Sequence, residues 1–160
     1  MTMEKKESEP VLRIFLSYAI SDRVYAHKLQ KILSKHPNVR IFTPEMLSAG
    51  EKWLSKLEDE LTKSDIFLVL LSPDSADSNW LLHEIGAAWV LRKPIIPIVT
   101  HPETKIPLLL SAHTWIKFEE LEKPEVINQI LEPYKKVKTS HNSKDENSHW
   151  EGSGIMESKA

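Results

Sequence analysis

Residues Ile66 to Leu71 read Ile-Phe-Leu-Val-Leu-Leu, an unbroken apolar run set between Ser64-Asp65 and Ser72-Pro73-Asp74-Ser75. A strand with one face in water alternates apolar and polar residues, whereas a strand buried on both faces does not. The run is too short to cross a bilayer and ends in turn formers. It therefore predicts an inner strand of a sheet covered on both sides. Val11 to Ser17 has the same character, Val39 to Thr43 and Ile95 to Val99 read as two more strands, and Trp115 to Phe118 as a fifth. Pro97 cannot donate to a ladder, so the fourth strand should be short or near an edge.

Between these runs the apolar period becomes helical. Ser21 or Asp22 can cap a helix whose Tyr25, Leu29, Ile32 and Leu33 share one face, ending near His36 before Pro37. After a long loop, Pro44 to Lys52, a second helix runs from Trp53 to near Lys63 with Leu54, Leu57 and Leu61 inward. A third is capped near Asp77 or Ser78 and runs to about Arg92. Its Leu81, Ile85, Ala88 and Trp89 form the core stripe, and Trp80, Glu84, Ala87 and Leu91 lie beside it. A last helix from about Pro124 to Lys136 turns Val126, Ile127, Ile130, Leu131 and Tyr134 inward, with Pro133 expected to kink it or end it early.

Strand and helix alternate, which calls for parallel strands, right-handed crossovers and helices on both faces. The predicted class is α/β, a flavodoxin-like three-layer fold with a parallel sheet of about five strands. A chain of 160 residues holds one such domain. Residues 1–10 read as a flexible N-terminal segment, 11–138 as the domain, and 139–160 as a polar tail expected to be disordered.

Composition removes several functions. A net charge of -2 supplies no basic field for nucleic acid or an anionic membrane, and no apolar stretch is long enough to span one. Without cysteine there is no disulfide framework or thiol nucleophile, which fits a cytoplasmic location. The four glycines, Gly50, Gly86, Gly152 and Gly154, form neither a G-x-G-x-x-G turn nor a P-loop. His83-Glu84 begins like a zinc-binding H-E-x-x-H helix, but position 87 is alanine. No metal site and no prosthetic group is expected.

In open doubly wound sheets, ligands bind beyond the carboxyl ends of the strands, where strand order reverses. That places the crevice between the ends of the first and third strands. Ser17, Tyr18 and Ala19 would form one wall and Ser72 to Glu84 the other. Trp80 and Glu84 stand one helical turn apart on that second wall.

Phe15-Leu16-Ser17-Tyr18 at the end of the first strand, the long loop with Ser48-Ala49-Gly50, Ser64-Asp65 before the third strand, and Ser72-Pro73 followed by Trp80 and Glu84 occur in order. In this arrangement the chain resembles a Toll/interleukin-1 receptor (TIR) domain over Val11 to about Tyr134, and is similar to the bacterial NAD+-cleaving type. The resemblance implies the fold already predicted. It also implies an activity, cleavage of NAD+ between nicotinamide and ribose, with NAD+ as substrate and Glu84 catalytic. Ser17, Tyr18, Trp53, Ser72 and Trp80 are the implied substrate-binding residues. It further implies association with other TIR domains, as a homo-oligomer or filament, through the Pro44 to Lys52 loop, and a separate sensor subunit in an immune or cell-death pathway such as antiphage defence. Where enzymatic relatives often carry a polar residue after Ser-Tyr, this chain has Ala19 and Ile20; Pro44-Glu45-Met46 stands where an aspartate is frequent.

One carboxylate is enough for such a reaction. The nicotinamide of NAD+ is already cationic and leaves neutral, so no acid has to protonate it, and the barrier lies in an oxocarbenium-like ribose that a carboxylate can stabilise. Two other readings belong to the same residues. A non-catalytic TIR module would signal by association alone, and a nucleoside-processing transferase of related architecture would also place a glutamate at an N-glycosidic bond.

Overall fold

The computed structural model describes residues 10–47 and 52–145, with side chains described as far as Tyr134. The apolar run forms strand β3 (Ile66–Leu71), and all six of its side chains are buried. It sits at the centre of a five-stranded sheet of order β2-β1-β3-β4-β5, with β1 at Leu12–Ser17, β2 at Val39–Phe42, β4 at Ile95–Val99 and β5 at Ile116–Lys117. Every pairing is parallel. This is the predicted class and strand order.

The helices are α1 (Arg23–Leu33), α2 (Trp53–Lys63), α3 (Asn79–Val90) and α4 (Pro124–Asp145). Alternation along the strands divides the core in two. Leu12, Ile14 and Leu16 of β1 and Ile66, Leu68 and Leu70 of β3 pack with α1 and α4. Phe15, Phe67, Val69 and Leu71 face the other way, onto Leu61 of α2 and Leu81, Ile85 and Ala88 of α3. Phe15 is stacked on Phe67 with ring centroids 5.5 Å apart.

Two predicted core positions are corrected. Trp89 is 58% exposed, because the buried sector of α3 is Leu81, Glu84, Ile85 and Ala88. At about 100° per residue, that sector is centred between Leu81 and Ala88, which leaves Trp89 roughly 90° off its centre and brings Glu84 inside. Leu54 is 69% exposed, while Leu57 is partly buried and Leu61 fully. The second helix thus meets the sheet at its last turn and stands away from it at its first.

The expectation for Pro97 holds in modified form. The fourth strand is inner, but β5 pairs only with Ile98 and Val99, so on that side β4 is an edge where Pro97 lies. Pro133 does not end the last helix, which continues to Asp145. Pro133 and Gln129 are both exposed. The carbonyl deprived of its donor therefore faces water, while Ile127, Ile130 and Leu131 hold the opposite side in the core. The expected tail accordingly begins inside α4, and its residues 146–160 lie outside the described ones, as does the N-terminal segment up to residue 9. Asp22 precedes α1 as predicted, but its side chain makes no capping hydrogen bond.

The third helix ends in a Schellman arrangement, with Lys93 N–H donating to the Ala88 carbonyl and Arg92 N–H to that of Trp89, each at 3.0 Å. Arg92 takes the left-handed conformation, φ 53°, that this ending requires. A side chain there is strained, so Arg92→Gly should raise stability by about 1 kcal/mol in urea denaturation, after allowance for the greater freedom of the unfolded glycine chain. Among the described residues no helix is long and apolar enough to cross a membrane.

Candidate active site

Strand parity decides what each residue after β1 can reach. Ser17 shares the face of Phe15 and is fully buried toward α3, whereas Tyr18 shares the face of Leu16 and joins the core beneath α1 and α4. On α3, Ser78 caps the first turn by accepting from the Leu81 N–H at 3.5 Å, so that Trp80 falls in the first turn and Glu84 in the second. The strand and the helix meet in one contact: the Ser17 hydroxyl donates to Oε2 of Glu84.

Glu84 is only 3% exposed. Its other oxygen, Oε1, is buried with no hydrogen-bond partner among the described residues. Burial disfavours the charged form and raises the carboxyl from 4.5 to about 7; the Ser17 hydroxyl and, more weakly, the Trp80 indole N–H oppose the rise. The indole is close enough to favour the carboxylate but does not make a well-formed hydrogen bond to Oε1. A carboxyl of this kind is divided between its acid and base forms near neutral pH. Replacing Ser17 by alanine removes a stabiliser of the anion. The Glu84 midpoint, followed by carboxyl carbon NMR, should then move to higher pH by roughly one unit.

Trp80 is covered in turn by Trp53, the first residue of α2, with ring centroids 4.6 Å apart and planes inclined by 40°. The Ser72 N–H and hydroxyl are both bonded to the Ser75 hydroxyl, at 2.9 and 3.1 Å, and the Ser72 carbonyl accepts from Ala76. Ser72 thus shapes the turn that launches α3. Of the predicted residues, the structure brings Ser17 and Trp80 to Glu84, sets Trp53 against Trp80, and places Ser72 in the connection that leads into α3. Tyr18 stands on the other face of the sheet. Ser48, Ala49 and Gly50 lie outside the described residues.

Tyr18 belongs to a second polar group that pattern reading missed. Its hydroxyl lies beside Glu45 and Thr43, and burial, reinforced by the Glu45 carboxylate, pushes it up to about 12. Tyr18 in turn is the main influence holding Glu45 below its usual range. Arg23 Nε donates to Glu45 Oε1 at 2.8 Å, tying the turn after β2 to the start of α1. The signal available in the sequence was Arg23 and His27 one turn apart on α1, with an acidic residue in the following loop.

Two surface grooves lie away from Glu84. One of about 550 Å³ adjoins Trp89, Arg92, Ile95 and His113, and one of about 460 Å³ runs between α1 and α4. Among the described residues no group of three His, Asp or Glu side chains could hold a metal ion.

A parallel sheet of order 2-1-3-4-5 with a buried carboxyl one turn after a tryptophan at its switch point can be set beside known proteins. A family profile described as TIR domain matches residues 14–131. The chain belongs to the TIR domain family. Among solved structures, this TIR domain is similar to that of the Toll-related receptor TRR-2 from Hydra magnipapillata, at 19% identity and a TM-score of 0.62, covering 77% of this chain and 97% of that one. It is also similar to the TIR domains of the activated Roq1 resistosome recognising the effector XopQ, at 21% identity and a TM-score of 0.50, covering 56% and 57% of the respective chains. A third similarity is to the CMP N-glycosidase BcmB of Clostridium botulinum, at 18% identity and a TM-score of 0.51, covering 69% of this chain and 93% of that one. At these identities the structural likenesses establish the fold alone. No curated protein matches the sequence.

Proposed function

We propose that this TIR domain is an NAD+ nucleosidase in which Glu84 is the catalytic carboxylate. The observation that carries the reading is a buried glutamate held on one oxygen by Ser17, with the other oxygen unpartnered, one helical turn from the face of Trp80. In the proposed reaction the bond between ribose C1′ and the nicotinamide nitrogen breaks. Its electron pair passes to the ring, which leaves neutral. The ionised Glu84 stabilises the positive charge developing on the ribose, and its unpartnered oxygen is available to a ribose hydroxyl. Water adding to C1′ gives ADP-ribose and attack by an adenine nitrogen gives a cyclic isomer, a proton passing to solvent in either case.

The reading extends to assembly. A TIR domain is found in the activated Roq1 resistosome, and here the segment from Pro44 toward Lys52 is proposed to meet a neighbouring TIR domain in a homo-oligomer or filament. Glu84 is closed off in the single chain, which fits an enzyme that acts only when assembled, with a separate sensor subunit supplying the signal. Cytoplasmic action in an immune or cell-death pathway belongs to the same proposal.

The test is incubation of concentrated protein with NAD+, measuring nicotinamide by chromatography, against Glu84→Gln. Cytidine monophosphate and simple nucleosides form a parallel arm, because the similarity to an N-glycosidase makes nucleotide cleavage the competing substrate class. Turnover of those compounds without turnover of NAD+ would reassign the substrate. No turnover of either in assembled protein would leave an association module.

A further inference from the structure

The Trp53–Trp80 contact is more specific than helix packing requires. Stacked aromatic rings stand at least about 3.5 Å apart, so a third ring placed between two indoles needs their centroids roughly 7 Å apart or more. At 4.6 Å the pair leaves no such space. Trp53 therefore already lies against one face of Trp80, and a planar ring can stack on that face only after Trp53 has left.

The means of leaving are also present. Lys52 precedes α2 without a side-chain capping bond, Leu54 in the first turn is exposed, and Leu61 in the last turn is the buried residue of the helix. In that first turn Trp53 meets Trp80 while Leu54 next to it stands in solvent. One turn along α3 from Trp80, Oε1 of Glu84 is desolvated and without a hydrogen-bond partner among the described residues, a state that a ligand donor would relieve.

We propose that Trp53 is an access-determining residue, whose indole occupies in the free chain the place on Trp80 taken by the planar cationic ring of the substrate. Ring binding and departure of Trp53 are then one event, and anything that draws the start of α2 outward opens the site. The inference rests on the reading of Glu84 as acting at an N-glycosidic bond. The indole stands in for the substrate's ring and competes with it, so its removal should help binding.

The experiment uses the full chain with Trp89, Trp115 and Trp150 replaced by phenylalanine, leaving Trp53 and Trp80 as the indole pair, and Glu84→Gln to prevent turnover. Circular dichroism reads the exciton couplet of the pair while NAD+ is added. The expected result is loss of the couplet as NAD+ binds, and binding about three- to tenfold tighter in Trp53→Ala, with Trp53→Phe between the two. A couplet that persists at saturation, or weaker binding in Trp53→Ala, would overturn the proposal while leaving the NAD+ reading intact.

If NAD+ binds none of these chains even at concentrations at which they assemble, that reading fails and 1-methylnicotinamide decides the role of Trp53. Trp80 fluorescence should be quenched at least about threefold more effectively in Trp53→Ala than in Trp53→Phe, which keeps a ring over Trp80. Equal quenching would sink the proposal.

Discussion

Glu84→Gln is expected to lower nicotinamide release from NAD+ by roughly a hundredfold to a thousandfold, the usual consequence of removing one group that meets charge developing in a transition state. Glutamine has the same shape, and its carbonyl still accepts from the Ser17 hydroxyl, so the turn of α3 that bears it should be preserved. What it lacks is negative charge. The loss should therefore fall on kcat, with little change in KM. In the parent the rate should rise with pH to a plateau, with a midpoint near the carboxyl value of about 7, because only the ionised form acts. An undiminished rate in Glu84→Gln would remove this carboxylate from the chemistry.

The same residue should make the domain less stable as the medium becomes alkaline. Its value is 4.5 when unfolded and about 7 when folded, so between those limits the native state holds more protons than the unfolded state. Stability attributable to Glu84 is fully present below about pH 4.5 and is lost as pH rises through about 7. The loss approaches about 3 kcal/mol, at about 1.4 kcal/mol per pH unit of separation. Glutamine cannot ionise. Urea denaturation should thus show Glu84→Gln to be more stable than the parent at pH 8, by about 1–3 kcal/mol once its unsatisfied amide is counted, and that advantage should shrink by about 2.5 kcal/mol at pH 5, leaving the variant equal to the parent or less stable. Parallel stability curves for the two proteins across this range would show that Glu84 titrates as an exposed carboxyl.

Together the two expectations describe one compromise. A carboxylate withdrawn from water acts more strongly on a nearby cation and destabilises the fold that buries it. The Ser17 hydroxyl limits that destabilisation by favouring the anion.

The elements were legible where local rules govern. Ile66–Leu71 and Ile95–Val99 have the predicted bounds. The α2 bounds, Trp53–Lys63, also match. An unbroken apolar run can be stable only between two covered faces, and a change of period marks a helix wherever the strands lie. Trp89 and Leu54 were misplaced because periodicity identifies an apolar stripe without its angular centre or the tilt of the helix on the sheet. Those depend on neighbouring elements. Pro133 is expected to kink the last helix or end it because the rule for proline is local, whereas the packing that carries α4 past it is not.

The site divides along the same line. By itself the sequence determined that Trp80 and Glu84 stand one turn apart and where the strands and helices lie along the chain. Each is a consequence of helix or strand geometry within a few residues. Only the tertiary structure decided the strand order that puts the switch point between the first and third strands, and that Ser17, not Tyr18, faces α3 and holds Glu84. It alone set the depth of that carboxyl, the tie of Glu45 to Arg23, and the indole of Trp53 against Trp80. These contacts join residues far apart in the chain, and burial is a property of what surrounds a group. No period or spacing along the backbone encodes it.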